Sequence, residues 1–158
     1  MNIIEYSAKY EEDVKDLLVD LQEYIASIDR EGYNIITDRF REESFKNNMK
    51  EIEEGNGIIF LACLENKIVG MIMGVIIEPE ENYDFKAPKG GGITELIVSK
   101  KCRTKGIGQA LLDKMENYFR SIGCERILIE LFEYNDIGKN FYNKNEYFDR
   151  CRIIMKKI

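Results

Sequence analysis

The most constraining stretch of this sequence runs from Ile93 to Gly123 and predicts a strand, a glycine loop and a helix, in that order. The apolar run up to Val98 contains one charged side chain, Glu95, and such a run is typical of a strand buried on both faces. After Gly106, apolar residues recur at spacings of three and four, and Gly123 supplies a helix C-cap. The stretch therefore predicts a helix that packs on a sheet.

The loop between this strand and helix has the features of an anion-binding site. Gly106 and Gly108 let backbone amides approach a ligand closely, and the helix start directs unpaired N–H groups at the same place. Arg103 and Lys105 add two positive charges. A Walker loop is excluded, since no lysine followed by a hydroxyl residue comes after the glycines, and Leu111 stands where a dinucleotide fingerprint needs its third glycine. The loop predicts binding of a different polyanion.

The pattern Val98-x-x-x-x-Arg103-x-x-Gly106-x-Gly108-x-x-Leu111 resembles the acyl-CoA loop of the Gcn5-related N-acetyltransferase (GNAT) family. In that family the loop amides hold the pyrophosphate of acetyl-CoA. The resemblance therefore implies acetyl-CoA as co-substrate.

A second pattern, Asn135-x-x-Gly138-x-x-Phe141-Tyr142-x-Lys144-Asn145-x-x-Phe148, is similar to another signature of the same family. The sequence departs from the family where Gly138 replaces a common alanine and where Glu146 lies near a usual glycine. The resemblance implies that Asn135 contacts the cofactor, that Tyr142 lies near its sulfur, and that strands splaying apart free the backbone of Leu96 and Val98 for the pantetheine arm. The predicted cofactor-binding residues are Leu96, Ile97, Val98, Arg103, Thr104, Lys105, Gly106, Ile107, Gly108 and Asn135.

The chemistry of acetyl transfer identifies two candidate catalytic residues. The chain contains no histidine, so the base that accepts the amine proton must be a carboxylate, a tyrosine or relayed water. Glu95, a carboxylate in an apolar strand, is the predicted base, because burial would raise its pKa toward a useful range. Glu130 is the reserve candidate, and a structural ion pair is the alternative role for Glu95. Tyr142 is the predicted general acid, with core packing as its alternative role.

The overall composition predicts one globular domain over residues 1–158, with 44% hydrophobic and 33% charged residues. The longest apolar run, Ile68 to Ile77, is half of what a membrane-spanning helix needs, and no secretion leader is recognisable. We therefore expect a cytoplasmic protein with no membrane partner. The four cysteines have no CxxC spacing, and without histidine the usual zinc sites cannot be built, so no metal is expected.

The charge of the chain is unevenly distributed. Net charge is −6, which argues against a nucleic-acid partner. Residues 1–90 hold 20 acidic against 10 basic side chains, whereas residues 91–158 hold 9 against 13. The basic half contains the glycine loop, and the acidic half suits a cationic acceptor. The loop acids predicted to attract that acceptor are Glu31, Asp38, Glu80, Glu81 and Asp84.

Periodicity along the chain predicts an α/β (α+β) fold, in which helices cover a mixed central sheet. The order of these elements is similar to that of the whole GNAT fold, and the resemblance implies a sheet of six to seven strands flanked by about four helices. Helices are expected from about Glu11 and over Phe40 to Glu54, and a hairpin is expected from Ile58 to Ile77. The segment from Glu80 to Gly92 is predicted to be a loop. The later elements are predicted as a strand from Arg126 to Leu131, a helix capped by Asn135 or Asp136, and a final strand from Tyr147 to Met155.

The sequence thus predicts an acetyl-CoA-dependent N-acetyltransferase that acts by direct transfer on a primary amine. Small cationic amines, such as polyamines or aminosugars, fit the acidic half best. Two alternatives remain open: a protein or peptide N-acetyltransferase, and a non-catalytic acyl-CoA-binding regulatory module. A homodimer is possible, since the strand ends of this fold often pair, as the resemblance implies.

Overall fold

The computed structural model describes all 158 residues and has a five-stranded sheet at its centre, in the order β1-β2-β3-β6-β7. The strands of this sheet are β1 Asn2–Glu5, β2 Ile58–Leu64, β3 Lys67–Ile77, β6 Gly90–Val98 and β7 Arg126–Ile129. Neighbouring strands are antiparallel except β6 and β7, which are parallel. A separate two-stranded ribbon contains β4 Glu80–Glu81 and β5 Lys86–Ala87.

Four α-helices accompany the sheet: α1 Glu11–Ile28, α2 Phe40–Glu54, α3 Ile107–Ser121 and α4 Asp136–Lys144. The predicted α+β class is confirmed, although the central sheet has five strands and not six or seven. The predicted start of α1 and both predicted bounds of α2 are also confirmed. No helix combines the length and apolar content needed to cross a bilayer.

Helices α1 and α2 cover one face of the sheet, where Val14 and Leu18 pack with Met71 and Met73. The two helices are joined by Lys15, whose side chain is 7% exposed and forms ion pairs with Glu11 and Glu12 on α1 and with Glu42 on α2 at 2.6 Å. Because three carboxylates surround this ammonium group, its burial is electrostatically compensated.

Helix α3 covers the opposite face, where Leu111, Met115 and Phe119 are buried against the sheet. Phe119 packs directly on the backbone of Gly91, where an added Cβ would lie 2.4 Å from its ring. The segment from Glu80 to Gly92, predicted to be a loop, instead contains the ribbon of β4 and β5 and ends in the first residues of β6, which begins at Gly90. A run of glycines indicates a loop by propensity, yet here it allows a helix to approach the strand closely.

A β-bulge at Thr94 reverses the facing of β6 side chains. The register pairs Gly74 with Ile93 and Met73 with Glu95, so Thr94 is an extra residue. Before the bulge, Ile93 faces α3; after it, Ile97 packs in the cluster with α1. Glu95, paired with Met73, consequently lies on the face covered by α1 and α2.

Strands β6 and β7 separate after a short parallel ladder. Their last paired residues are Ile93 and Ile129, while β6 continues to Val98 beside β3. Beyond Ile93, the edge of β6 that faces β7 has no partner strand. The splaying implied by the family resemblance is present at this point.

The predicted final strand from Tyr147 to Met155 is wrong, because no residue after Lys144 belongs to a helix or strand. Phe148, Ile153 and Ile154 are each at least 84% exposed. A strand forms only where a neighbouring strand completes its backbone hydrogen bonds. The apolar residues of this segment produce a strand-like sequence pattern, but no neighbouring strand pairs with it. The predicted strand from Arg126 is confirmed but ends at Ile129 and not at Leu131.

Candidate acetyltransferase site

A cavity of about 370 Å³ opens where β6 and β7 separate. It is lined by residues 93–96 of β6, by residues 129–132 at and after the end of β7, and by side chains from both α1 and α2. The cavity contains Glu95, Glu130 and Tyr142, three of the residues identified from the sequence. A larger depression beside α2 is lined mostly by polar surface residues, including Glu51, and contains no predicted site residue.

Glu95 has the electrostatic character expected of a base at neutral pH. Burial, followed by the nearby negative charge of Glu51, raises the pKa of Glu95 from 4.5 to about 7. No ion pair is formed by this carboxylate, since none of the short cation–carboxylate contacts in the structure involves it. The structure therefore does not support the alternative role of Glu95 as a partner in a structural ion pair.

Tyr142 is buried on α4 and lines the same cavity as Glu95. Burial, with a smaller effect from the charge of Glu95, raises the pKa of the Tyr142 hydroxyl above its ordinary value. Its ring makes edge-to-face contacts with Phe141 and Tyr147, at centroid distances of 5.2 and 5.4 Å. The hydroxyl thus stays protonated at neutral pH while packing holds the ring in place.

The wall of the cavity opposite the strands is mainly apolar, with Leu18, Leu21, Ile25 and Phe40 contributed by α1 and α2. Residues 29–39 connect these two helices, and Asn34 from this connection also lines the cavity.

Asp29 holds this connection in place. Its carboxylate accepts hydrogen bonds from the backbone amides of Glu31, Tyr33 and Asn34 and from the Asn34 side chain. These hydrogen bonds, with the Asn34 amide as the largest cause, lower the pKa of Asp29 to about 2. The position of Asn34 at the cavity is therefore fixed by the chain itself.

The glycine loop leads into α3 as predicted. Gly106 is the N-cap residue with φ +76°, a left-handed conformation suited to glycine, and no side chain caps the helix. The first amides of α3 are consequently free to bind an anion. Thr104, with φ +64°, donates its hydroxyl to the Arg103 carbonyl at 2.6 Å, so that side chain is engaged within the loop.

Arg103 connects this loop to the open edge of β6. Its Nε donates to the carbonyl of Val98 at 3.0 Å, which leaves both terminal NH₂ groups of the guanidinium without a partner in the chain. The guanidinium carbon also lies 5.4 Å from the ring centroid of Tyr24 on α1. The side chain is thus held beside the loop amides with donors still available for a phosphate.

The backbone of β6 presents free hydrogen-bonding groups in the gap. Ser99 donates its N–H to Val69 of β3, while the Val98 carbonyl points to the other side, where Arg103 reaches it. Because an antiparallel strand alternates the direction of its backbone groups, Leu96 and Val98 direct theirs away from β3. Their amides therefore face the gap between β6 and β7.

The side chains of the other predicted cofactor-binding residues are buried, exposed or engaged in a helix cap. Ile97 and Ile107 are buried in the two hydrophobic cores, so only their backbones could bind a ligand, whereas Lys105 is exposed. Asn135 caps α4, with Oδ1 accepting from the Gly138 amide at 2.9 Å. An added Cβ at Gly138 would lie 2.7 Å from Asn135 Nδ2, so this conformation explains the glycine where the family commonly has alanine.

The five loop acids predicted to attract the acceptor do not line the cavity. Glu81 pairs with Lys86 at 2.8 Å, and Glu31 accepts the hydroxyl of Tyr134 at 2.9 Å. Glu95 and Glu130 are the carboxylates at the cavity, and Glu130 is exposed.

Two residues near the site were missed by the sequence reasoning. Thr94 lines the cavity at the bulge. It is the lone hydroxyl residue in an apolar strand, and this feature of the sequence could have marked it as a candidate site residue. Tyr24 contacts both Arg103 and Asn135, but in the sequence it is one more apolar position of a helical stripe. No local pattern distinguishes Tyr24 from its neighbours.

The separating parallel strands, the uncapped start of α3 and the acid-containing cavity agree with what the family resemblance implies. The family model for the acetyltransferase (GNAT) family matches residues 19–147. The chain belongs to this family, and the resemblance found in its two sequence patterns is confirmed.

Comparison with individual proteins agrees with this assignment. An uncharacterized N-acetyltransferase of Methanocaldococcus jannaschii is 35% identical over 92 residues, covering 58% of this chain and about half, 53%, of that relative. The BH1408 protein of Bacillus halodurans, solved as a tetramutant, has a TM-score of 0.83 at 15% identity over the full length of both chains. AAC(6')-Iy, solved with the bisubstrate analog CoA-S-monomethyl-acetylneamine, has a TM-score of 0.70 at 14% identity, covering 99% of this chain and 97% of that one.

Proposed function

We propose that this protein transfers the acetyl group of acetyl-CoA directly to the primary amine of a small cationic molecule, of the polyamine or aminosugar type. The observation that carries the proposal is the gap between β6 and β7. Along this gap, strand β6 leads from the cavity that contains Glu95 and Tyr142 to the loop before α3, whose first amides are free.

The residues around the gap suit acetyl-CoA. The amides from Gly106 to Gly108 and the free NH₂ groups of Arg103 would hold the pyrophosphate, and Lys105 would add a second positive charge. The amides of Leu96 and Val98 would bind the pantetheine arm along the open strand edge. A protein of the same fold, AAC(6')-Iy, was solved with a CoA-containing analog, which supports this cofactor.

In the proposed reaction, the amine nitrogen attacks the thioester carbonyl carbon, a C–N bond forms and the C–S bond breaks. Glu95 accepts a proton from the amine, and its pKa of about 7 allows this near neutral pH. Tyr142 donates its hydroxyl proton to the departing thiolate of CoA. No covalent enzyme intermediate is needed, so Cys102, beside Arg103, has no role in this scheme.

The apolar wall helps to choose among acceptors. Leu18, Leu21 and Ile25 suit the methylene chain of an aliphatic amine, whereas the hydroxyl groups of an aminosugar would lose water there without replacement hydrogen bonds. The amide nitrogens of Gln22 and Asn34 are engaged by Ile35 and Asp29, so their oxygens remain as acceptors for a second ammonium group. Among the cationic amines, polyamines therefore fit the cavity better.

The test is a panel of polyamines, alkylamines, aminosugars and peptides with free N-termini, read by release of the CoA thiol. The proposal predicts acetyl-CoA-dependent thiol release with aliphatic di- or polyamines. Thiol release with peptides alone would assign the protein N-acetyltransferase alternative. Binding of CoA in calorimetry without thiol release from any amine would assign the non-catalytic acyl-CoA-binding module.

A further inference from the structure

Thr94 has a buried hydroxyl group that no other group in the chain satisfies. Its Oγ1 is the one buried side-chain oxygen or nitrogen in the structure without a hydrogen-bond partner. Buried hydroxyl groups are nearly always paired, since an unpaired one has lost its water without compensation. An exception at a binding cavity suggests that a ligand completes the hydrogen bonding.

The position of Thr94 agrees with this reading. It is the extra residue of the bulge in β6 and lines the same cavity as its neighbour Glu95 and as Tyr142. The wall facing the strands is formed largely by Leu18, Leu21 and Ile25, which offer no hydrogen bond. Bulges commonly redirect a side chain beside an active site, and this one turns the strand at the residue next to the proposed base.

We propose that Thr94 binds the acceptor amine and orients its nitrogen for attack. This inference rests on the proposed function. A neutral primary amine has two N–H groups and one lone pair. If Thr94 Oγ1 accepts one N–H and the Glu95 carboxylate accepts the other, the lone pair is left to face the thioester carbon. The proton that leaves the nitrogen goes to Glu95, and Thr94 remains a neutral hydroxyl throughout.

The pair Thr94→Val and Thr94→Ser tests the proposal. Valine keeps the branched shape and removes the hydroxyl, whereas serine keeps the hydroxyl and removes a methyl group. With the best amine of the panel, Thr94→Val should lower kcat/KM for the amine about tenfold, as expected for one lost ligand hydrogen bond. KM for acetyl-CoA and the Kd of CoA should stay at wild-type values, and Thr94→Ser should keep kcat/KM for the amine within about threefold of wild type.

Three kinetic outcomes would overturn the assignment. The first is wild-type kcat/KM in Thr94→Val. The second is an equal loss in Thr94→Ser, which would indicate packing and not hydrogen bonding. The third is a rise in KM for acetyl-CoA, which would place the hydroxyl on the donor side.

The unfolding midpoint provides a test that does not depend on turnover. A hydroxyl reserved for a ligand destabilises the free protein, so Thr94→Val should unfold at a higher temperature than wild type. A lower midpoint would mean that the hydroxyl is satisfied within the chain, and this alone would overturn the inference. Failure of the proposed function looks different, because wild-type protein would then release no thiol with any amine whatever the Thr94 variants do.

Discussion

The hydroxyl of Tyr24 donates a hydrogen bond to Oδ1 of Asn135 at 3.0 Å, which joins helix α1 to the start of α4. The same tyrosine ring lies against the guanidinium of Arg103, with 5.4 Å between the ring centroid and the guanidinium carbon. One residue of α1 therefore contacts two residues predicted to bind the cofactor. Leu21 and Ile25, on the same helix, line the cavity that contains Glu95.

We expect Tyr24 to act as a positioning residue for acetyl-CoA. Tyr24→Leu removes both the ring beside Arg103 and the hydrogen bond to Asn135, so the Kd of CoA should rise about five- to tenfold, since contacts of these kinds contribute roughly 1 kcal/mol each. Tyr24→Phe keeps the ring and should show a smaller rise. The measurement is CoA calorimetry on both variants.

The matched control is Tyr10→Leu at the opposite end of α1, where the ring lies 4.7 Å from the ammonium group of Lys9. This variant loses a comparable ring–cation contact far from the loop and should bind CoA like wild type. If Tyr24→Leu binds CoA with unchanged affinity, the tyrosine serves only the packing of α1.

Glu95→Gln tests the proposed base. The variant keeps the shape of the side chain but cannot accept a proton, so turnover should fall at least tenfold near pH 7 and recover partly at high pH, where the amine arrives deprotonated. In the wild type, kcat should rise with pH through about 7, because the pKa of Glu95 is raised to about 7. Glu130→Gln is the control and should keep this profile. A wild-type profile in Glu95→Gln would leave Glu130 or water as the base.

The same carboxylate should also affect stability. Its pKa is raised on folding, so between about pH 4.5 and 7 the folded state binds more protons than the unfolded state. The free energy of unfolding must then fall as pH rises through this range. Relative to Glu95→Gln, the wild type should lose stability between pH 5 and 8, by roughly 3 kcal/mol at most, because cavity water screens the charge. Urea titrations at the two pH values measure the difference, and parallel pH dependence of the two proteins would contradict it.

Gly108→Ala separates ligand approach from fold stability. The nearest atom to an added Cβ is a ring carbon of Phe141 at 3.7 Å, an ordinary contact, so the free protein should unfold at its usual temperature. CoA should nevertheless bind about tenfold or more weakly, because the methyl group would occupy the space in which phosphates approach the amides. Gly106→Ala is the contrasting variant: φ is +76° there, so stability should fall as well. Unchanged CoA affinity in Gly108→Ala would remove the loop from the cofactor site.

Tyr142→Phe tests the proposed acid. The thiol of CoA has a pKa near 8.5, similar to that of cysteine, so its thiolate leaves without a proton at high pH. The variant should therefore lose turnover mainly below about pH 8 and bind CoA normally. Tyr147→Phe is the control, since its hydroxyl is bonded to Glu116 at 2.9 Å and its ring contacts that of Tyr142. Equal effects of the two variants would point to packing.

Local pattern was sufficient to predict most helices and the hairpin, because their burial follows a regular period. The run from Phe40 to Glu54 has its apolar residues at helical spacing, and its predicted bounds match α2. The motif around Gly106 likewise placed the start of α3, since the left-handed turn and the uncapped helix depend on adjacent residues.

What could not be predicted depends on contacts between distant segments. Gly90 to Gly92 form a strand because they pair with β3 on one side and β7 on the other, and Phe119 packs closely on Gly91. The bulge at Thr94 is defined by register against β3, and the contact of Tyr24 with Asn135 joins residues 111 positions apart. The segment after Tyr147 has the apolar residues of a strand but no neighbouring strand to complete it.

The bulge also determines which face of the sheet each later side chain of β6 occupies. Side chains alternate between two faces, so one additional residue exchanges the faces for everything that follows. If Thr94 were instead paired as an ordinary strand residue, with no bulge, Glu95 would share the face of Ile93 and turn toward α3, where Met115 and Phe119 pack on the sheet, and Ile97 would turn away from α1. Such a chain would keep Glu95, Tyr142 and the complete glycine loop, yet its carboxylate would face a hydrophobic core with no room for an amine.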